Sequence, residues 1–352
     1  MRERLSEAAK VGNVKFHFEA TGIGSVPFTD PKRSCDFILR RFTEVPFWPQ
    51  LPKKSYRENM YAQFSEGMPG MVIDEEKRTV HIDSSLALEG LEHFYERYLD
   101  DDVDYFAISP ECASGLHEFL HVAGSDGRTY AYVKGQVTGP ASLALTLLDE
   151  NKRAVIHNEV LFESLTKLLS MKARWQIRKM KELCDKVIVF LDEPYLVSIG
   201  SSYVTIDIGR TMKSIDEVAG SIKREGAYAG LHCCGNTDWQ MILDRDIDIL
   251  SFDAYNFMQQ FTLFKDDIKR FLARGGTIAW GIVPTISGSH ENADGLFKVL
   301  KEGIDSLRNG GETLSALITP SCGTGTLSEE DTARVFDMTE ALASLAKERG
   351  LC

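Results

Sequence analysis

The chain has 352 residues, 43% of them hydrophobic, with a formal charge of −12 and a pI near 5.2. That length supports a full core without disulfides, as one large α/β domain or two ordinary ones, and the acidity argues against nucleic acid or an anionic membrane as partner. No apolar run reaches membrane-spanning length, no secretory leader opens the chain, and its 7 cysteines lack a disulfide-framework spacing, so a cytoplasmic location with free or metal-bound thiols is expected.

In chain order, residues 15–22 read as a buried strand running into the turn Thr21-Gly22-Ile23-Gly24-Ser25. Its glycines would let backbone N–H groups and the Ser25 hydroxyl approach a carboxylate, or the segment is simply a tight turn; it lacks the third glycine of a dinucleotide fingerprint and the lysine of a P-loop. Asp30 before Pro31 is an N-cap signal, and Cys35, Phe37, Ile38 and Phe42 supply the apolar stripe of the helix behind it. Further strands are expected at 45–50, 130–137, 187–191, 227–232, 247–252, 277–282 and 314–319, separated by helix-patterned stretches. A long helical run covers 154–186, and Ser328 with Asp331 resembles a capping box ahead of Val335, Phe336, Met338, Leu342 and Leu345.

Strands alternating with helices predict a (β/α)8 TIM barrel, a single domain over 1–352 whose functional residues lie at the C-terminal strand ends. Residues 65–129 are too long for one crossover. They are expected to form an insertion after the second strand that caps or flanks the mouth, with a hairpin around Asp74-Glu75-Glu76-Lys77, a helix near 86–98 and an extra strand near 105–109.

Polar residues collect at the predicted strand ends. In Leu231-His232-Cys233-Cys234-Gly235-Asn236-Thr237, the two-residue period of a strand turns His232 and Cys234 to one side and Cys233 to the other. With Cys322 of Pro320-Ser321-Cys322-Gly323 they form a zinc-ligand set of imidazole and thiolates; the competing reading is small buried hydrophobes. At the end of the fourth strand, Asp192 is expected to point into the mouth and hold a ligand ammonium, whereas Glu193 points toward a helix; a capping carboxylate is the alternative for either. Asp253 ends the sixth strand and is a candidate fourth metal ligand.

These residues resemble the zinc-dependent thiol methyltransferases of the methionine synthase and uroporphyrinogen decarboxylase superfamily. The catalytic half of cobalamin-independent methionine synthase has a His-x-Cys pair, a later carboxylate at a strand end and a Pro-x-Cys-Gly motif, matched here by His232 and Cys234, by Asp253, and by Cys322. The Ile23-Gly24-Ser25 turn, Thr138-Gly139-Pro140 and Asp192-Glu193-Pro194 follow the family in order and approximate spacing, and the run at 234–237 is closer to methylcobalamin:coenzyme M methyltransferases. Asp253 stands where the family usually has glutamate, and Lys54 where the methionine synthases have an acid that helps hold the homocysteine ammonium.

The resemblance implies zinc on His232, Cys234, Asp253 and Cys322, substrate contacts from Ile23, Gly24, Ser25, Lys54 and Asp192, and methyl transfer to homocysteine or another small thiol to make methionine. Single-barrel members are associated with methyl-corrinoid donors, and the sequence has no Asp-x-His-x-x-Gly corrinoid motif, which implies methylcobalamin either free or on a partner corrinoid protein. Alternatives within the same resemblance are a coenzyme M-type thiol methyltransferase and a porphyrinogen decarboxylase, and outside it a structural zinc protein.

Overall fold

The computed structural model describes residues 15–199, 206–308 and 314–351. Its strands are β1 (His17–Ala20), β2 (Met71–Asp74), β3 (Thr79–Ile82), β4 (Val133–Thr138), β5 (Val187–Asp192), β6 (Tyr228–Cys233), β7 (Ile249–Phe252), β8 (Thr277–Val283) and β9 (Ala316–Pro320). The helices are α1 (Pro31–Arg41), α2 (Met60–Ser65), α3 (Ser84–Leu99), α4 (Ser114–Ser125), α5 (Pro140–Thr146), α6 (Glu159–Met180), α7 (Ile208–Arg224), α8 (Trp239–Leu243), α9 (Ala254–Thr262), α10 (Lys265–Ala273), α11 (Ala293–Leu307) and α12 (Glu329–Glu348).

Seven strands form one parallel sheet in the order β1-β9-β8-β7-β6-β5-β4. From β4 to β9 every strand residue is buried, as expected of parallel strands covered on both faces. The sheet curls: Phe16, Val45, Ile188, Phe190, Tyr228, Ile249, Ala279 and Leu317 meet in an inner cluster separate from the larger core between sheet and helices. A single line of register runs Thr138, Asp192, His232, Ser251, Ala279, Leu317, placing the polar members on one level of the inner face.

The expected second strand at 45–50 is not a strand. This segment occupies the gap between β1 and β4 and makes isolated parallel bridges, Phe47 to Lys134 and Ser25 to Gln50. Pro46 and Pro49 explain the difference, because each removes a backbone donor and interrupts the ladder. Side chains reinforce the join: Lys134 Nζ donates to the Ile23 carbonyl (2.5 Å) and Gln136 Nε2 to the Trp48 carbonyl (3.2 Å).

Local signals behave as their chemistry requires. Asp30 Oδ1 accepts from Arg33 N (3.0 Å), and Ser328 Oγ from Asp331 N (3.0 Å), capping α1 and α12. The hairpin forms, with Met71 opposite Ile82 and Asp74 opposite Thr79. The extra strand expected near 105–109 does not: residues 103–106 make a 3₁₀ turn, started by Asp101 in the left-handed region (φ 56°) and by Asp102 Oδ1 accepting from Tyr105 N (3.2 Å). No helix among the described residues is long and apolar enough to cross a membrane.

Candidate metal and substrate site

Beyond the C-terminal strand ends lies a cavity of about 610 Å³. Ile23 and Ser25 line it from the turn after β1, Asp192 and Pro194 from the end of β5, His232 and Cys234 from β6, and Cys322 and Gly323 from the turn after β9. Pro52, Glu58, Met60 and Arg78 complete its outer wall.

A ligand nitrogen of His232 and the sulfurs of Cys234 and Cys322 lie within 4.8 Å of one another. His232 Nδ1 sits 2.9 Å from Ser251 Oγ, while Nε2 is buried with no hydrogen-bond partner among the described residues. An orphaned imidazole nitrogen beside two sulfurs is a costly arrangement unless a cation uses it, and a nitrogen–sulfur donor set suits zinc. His232, Cys234 and Cys322 therefore fit a metal ion.

The two thiols are electrostatically unequal. A hydrogen bond from Cys322 draws Cys234 down to about 4, with His232 helping against burial, and the same bond together with burial pushes Cys322 far up. Of the two, Cys322 is the one that holds its proton more tightly. Cys233 faces the outer core, where Sγ lies 3.5 Å from the Gly235 carbonyl and burial pushes the thiol up to about 12.

Asp253 does not join the three ligands within that distance. It caps α9: Oδ1 accepts from Asn256 N (2.9 Å) and Oδ2 from Asn256 Nδ2 (2.7 Å), so both oxygens are engaged. The shorter aspartate side chain at a helix start finds its own backbone donor before it reaches the ligand cluster.

Asp192 is buried at the cavity, and its Oδ1 has no hydrogen-bond partner among the described residues. Burial pushes its carboxyl up to about 6, opposed by His232 and by Lys134, which is completely buried on β4. Glu193 turns the other way and receives Ala141 N (3.0 Å), Ser142 N (2.8 Å) and Ser142 Oγ (2.6 Å) at the start of α5. Glu193 N donates to the His232 carbonyl (2.8 Å), joining the strand end that carries Asp192 to the one that carries His232. Gly139 makes this possible, because a Cβ there would lie 2.2 Å from the Glu193 carboxyl carbon.

The turn after β1 is locked from the far side of the chain. Ser25 Oγ accepts from Gly325 N (3.3 Å), and the Ser25 carbonyl accepts from Thr324 N (2.9 Å). Ile23 and Ser25 face the cavity; Gly24 instead packs on Gln136, where a Cβ would come within 2.8 Å. Lys54 does not line the cavity either: its Nζ lies 3.2 Å from Glu58 Oε1.

Glu58, Arg78 and Gln50 reach the cavity without having been singled out from the sequence. Glu58 is completely buried, Ser114 Oγ donates to its Oε1 (2.5 Å), and its Oε2 has no partner among the described residues. Burial pushes its carboxyl up.

No family model and no curated protein matches the sequence. Among solved structures, a methyltransferase from Methanosarcina mazei is similar over 98% of this chain and 97% of its own, at 12% identity and a TM-score of 0.60. A B12-independent methionine synthase from Shewanella sp. W3-18-1, in complex with selenomethionine, aligns over 66% of this chain and 67% of its own at 15% identity and a TM-score of 0.48. The chain thus shares its fold, along nearly its whole length, with the Methanosarcina mazei methyltransferase.

Proposed function

We propose that the protein is a zinc-dependent thiol S-methyltransferase that moves a methyl group from methylcobalamin, free or on a corrinoid protein, to homocysteine, giving methionine. The observation that carries this reading is the convergence of a His232 ring nitrogen, Cys234 and Cys322 at the wall of an open cavity, three protein ligands with room for a substrate sulfur. Bound zinc would keep an incoming thiol deprotonated; a free thiol with pKa ~8.5 is only about 3% thiolate at pH 7, so full deprotonation is worth about 2 kcal/mol. Position supplies much of the rest.

The chain's own groups divide the remaining work. Asp192 Oδ1 and Glu58 Oε2 are two unpartnered carboxylate oxygens in one cavity, suited to receive the substrate ammonium. The Ser25 hydroxyl and neighbouring turn amides offer hydrogen bonds to its carboxylate. Ile23, Pro52, Met60 and Pro194 keep water from the reacting sulfur. In this reading the curled sheet with segment 45–50 acts as an eightfold barrel, and residues 65–129 flank its mouth.

Two measurements test it. Purified protein should hold one zinc per chain, and X-ray absorption should show one more sulfur neighbour after homocysteine is added. Methionine should form with methylcobalamin or a methylated corrinoid protein and not with methyltetrahydrofolate alone. Turnover from the folate without corrinoid would overturn the donor assignment, and an unchanged sulfur shell would overturn the thiol site.

A further inference from the structure

Resting on the thiol reading above, we infer that Arg78 is the charge that selects thiols carrying an anionic end, by pairing with the substrate's acidic group at the cavity mouth. The cavity is otherwise hostile to an anion. Its lining includes Asp192, Glu58, Cys234 and Cys322, so a carboxylate brought there loses solvent and meets negative charge. A neutral hydroxyl at Ser25 does not offset that.

Among the described residues, one lysine and one arginine line the cavity. Lys53 is tethered, its Nζ donating to the Leu327 carbonyl (2.6 Å). Arg78 has no hydrogen-bond or ion-pair partner among the described residues; its guanidinium carbon lies 5.5 Å from the centre of the Tyr56 ring. A guanidinium resting on an aromatic face keeps its N–H edge free for a bidentate anion.

The backbone makes the same point independently. Arg78 closes the turn between β2 and β3 with φ 52°, a conformation in which glycine or asparagine is at home and a long side chain costs stability. That turn is held at the mouth by Arg57 Nε on Glu75 (2.7 Å). A strained position that sets an exposed cation, with no ionic partner among the described residues, at the rim of a negatively lined cavity is a binding device.

Calorimetry on the zinc-loaded protein and on Arg78→Ala separates the ends of the ligand, using L-homocysteine, its decarboxylated analogue 3-mercaptopropylamine, 3-mercaptopropionate and 2-mercaptoethanesulfonate. Arg78→Ala should weaken homocysteine and 3-mercaptopropionate at least tenfold, leave 3-mercaptopropylamine within twofold, and keep zinc content unchanged. Arg78→Lys should recover part of the loss. A larger effect on the sulfonate than on either carboxylate would still support an anion site and assign it to sulfonate thiols. Unchanged homocysteine binding, or equal weakening of the amine-only thiol, would overturn the inference while leaving the thiol reading intact. Wild-type protein that binds none of the four would instead refute the thiol reading, and this assignment with it. Arg78→Gly, which removes the backbone strain along with the charge, must match Arg78→Ala; a variant that restores binding by relaxing the turn would also overturn the role of the charge.

Discussion

Ser251 Oγ lies 2.9 Å from His232 Nδ1, one strand over and in direct register. When the Nδ1 proton is donated to that hydroxyl, the lone pair stands on Nε2, the buried nitrogen that has no hydrogen-bond partner among the described residues. With the hydroxyl as acceptor, the ring is in the tautomer that can bind a metal. Ser251→Ala should lower zinc affinity by about 10–100-fold without unfolding the protein. Competition against a chromophoric chelator reads this directly, and an unchanged affinity would remove Ser251 from the site.

The two sulfurs should be unequal to the third. Cys234→Ser or Cys322→Ser replaces a soft thiolate by a poor hydroxyl ligand, and zinc should fall to substoichiometric levels in each. Cys233→Ser, placed in the outer core, should keep its zinc. Metal analysis of the purified variants decides it, with full occupancy in Cys322→Ser the outcome that would break the assignment.

Because their mutual hydrogen bond lowers Cys234 and raises Cys322 in the metal-free protein, zinc binding should displace a proton from Cys322. Affinity should therefore rise with pH, by about tenfold per unit between pH 6 and 8, and fall as the pH drops. Calorimetry in two buffers of different ionisation enthalpy should count at least one proton released per zinc. Binding that is indifferent to pH would mean that another pair of atoms holds the metal.

In the proposed reading Asp192 binds the substrate ammonium and does not ionise the thiol, so its removal should separate substrate affinity from metal content. Asp192→Asn should weaken homocysteine by about 1.5–3 kcal/mol with zinc unchanged. Glu58→Gln should act in the same direction. 3-Mercaptopropionate, which has no ammonium, should barely respond, and equal losses for both thiols would point to a structural role.

Glu193 is a structural carboxylate. Burial pushes it up to about 7 from an ordinary 4.5, so the folded protein holds this proton more tightly than the unfolded chain does. Its contribution is intact below about pH 4.5 and is lost as the pH rises through 7; Asp192, up to about 6, acts with the same sign. In Glu193→Gln, denaturant titrations of the metal-free protein should show a shallower loss of stability between pH 5 and 7 than wild type. Gly139→Ala, forced against the same side chain, should cost about 1–3 kcal/mol at pH 7. An identical pH slope in the glutamine variant would show that another group controls this window.

Much of this architecture is local and could be read from the chain. Strand periodicity alone separates His232 and Cys234 from Cys233, Asp192 from Glu193, and the caps at Asp30 and Ser328 need nothing beyond their own helices. What the sequence could not decide depended on partners distant along the chain or on competition between them. Segment 45–50 has strand-like composition, but two prolines in a gap between β1 and β4 leave it as bridges. Asp253 has the chemistry of a ligand and is claimed by Asn256; Lys54 is claimed by Glu58, which itself takes the place at the cavity. Arg78 enters the site only because a hairpin folds over the mouth. Periodicity and capping are properties of a few neighbouring residues, whereas the meeting of Cys322 with His232, and the choice among acids for one cation, follow from how the curled sheet brings its strand ends together.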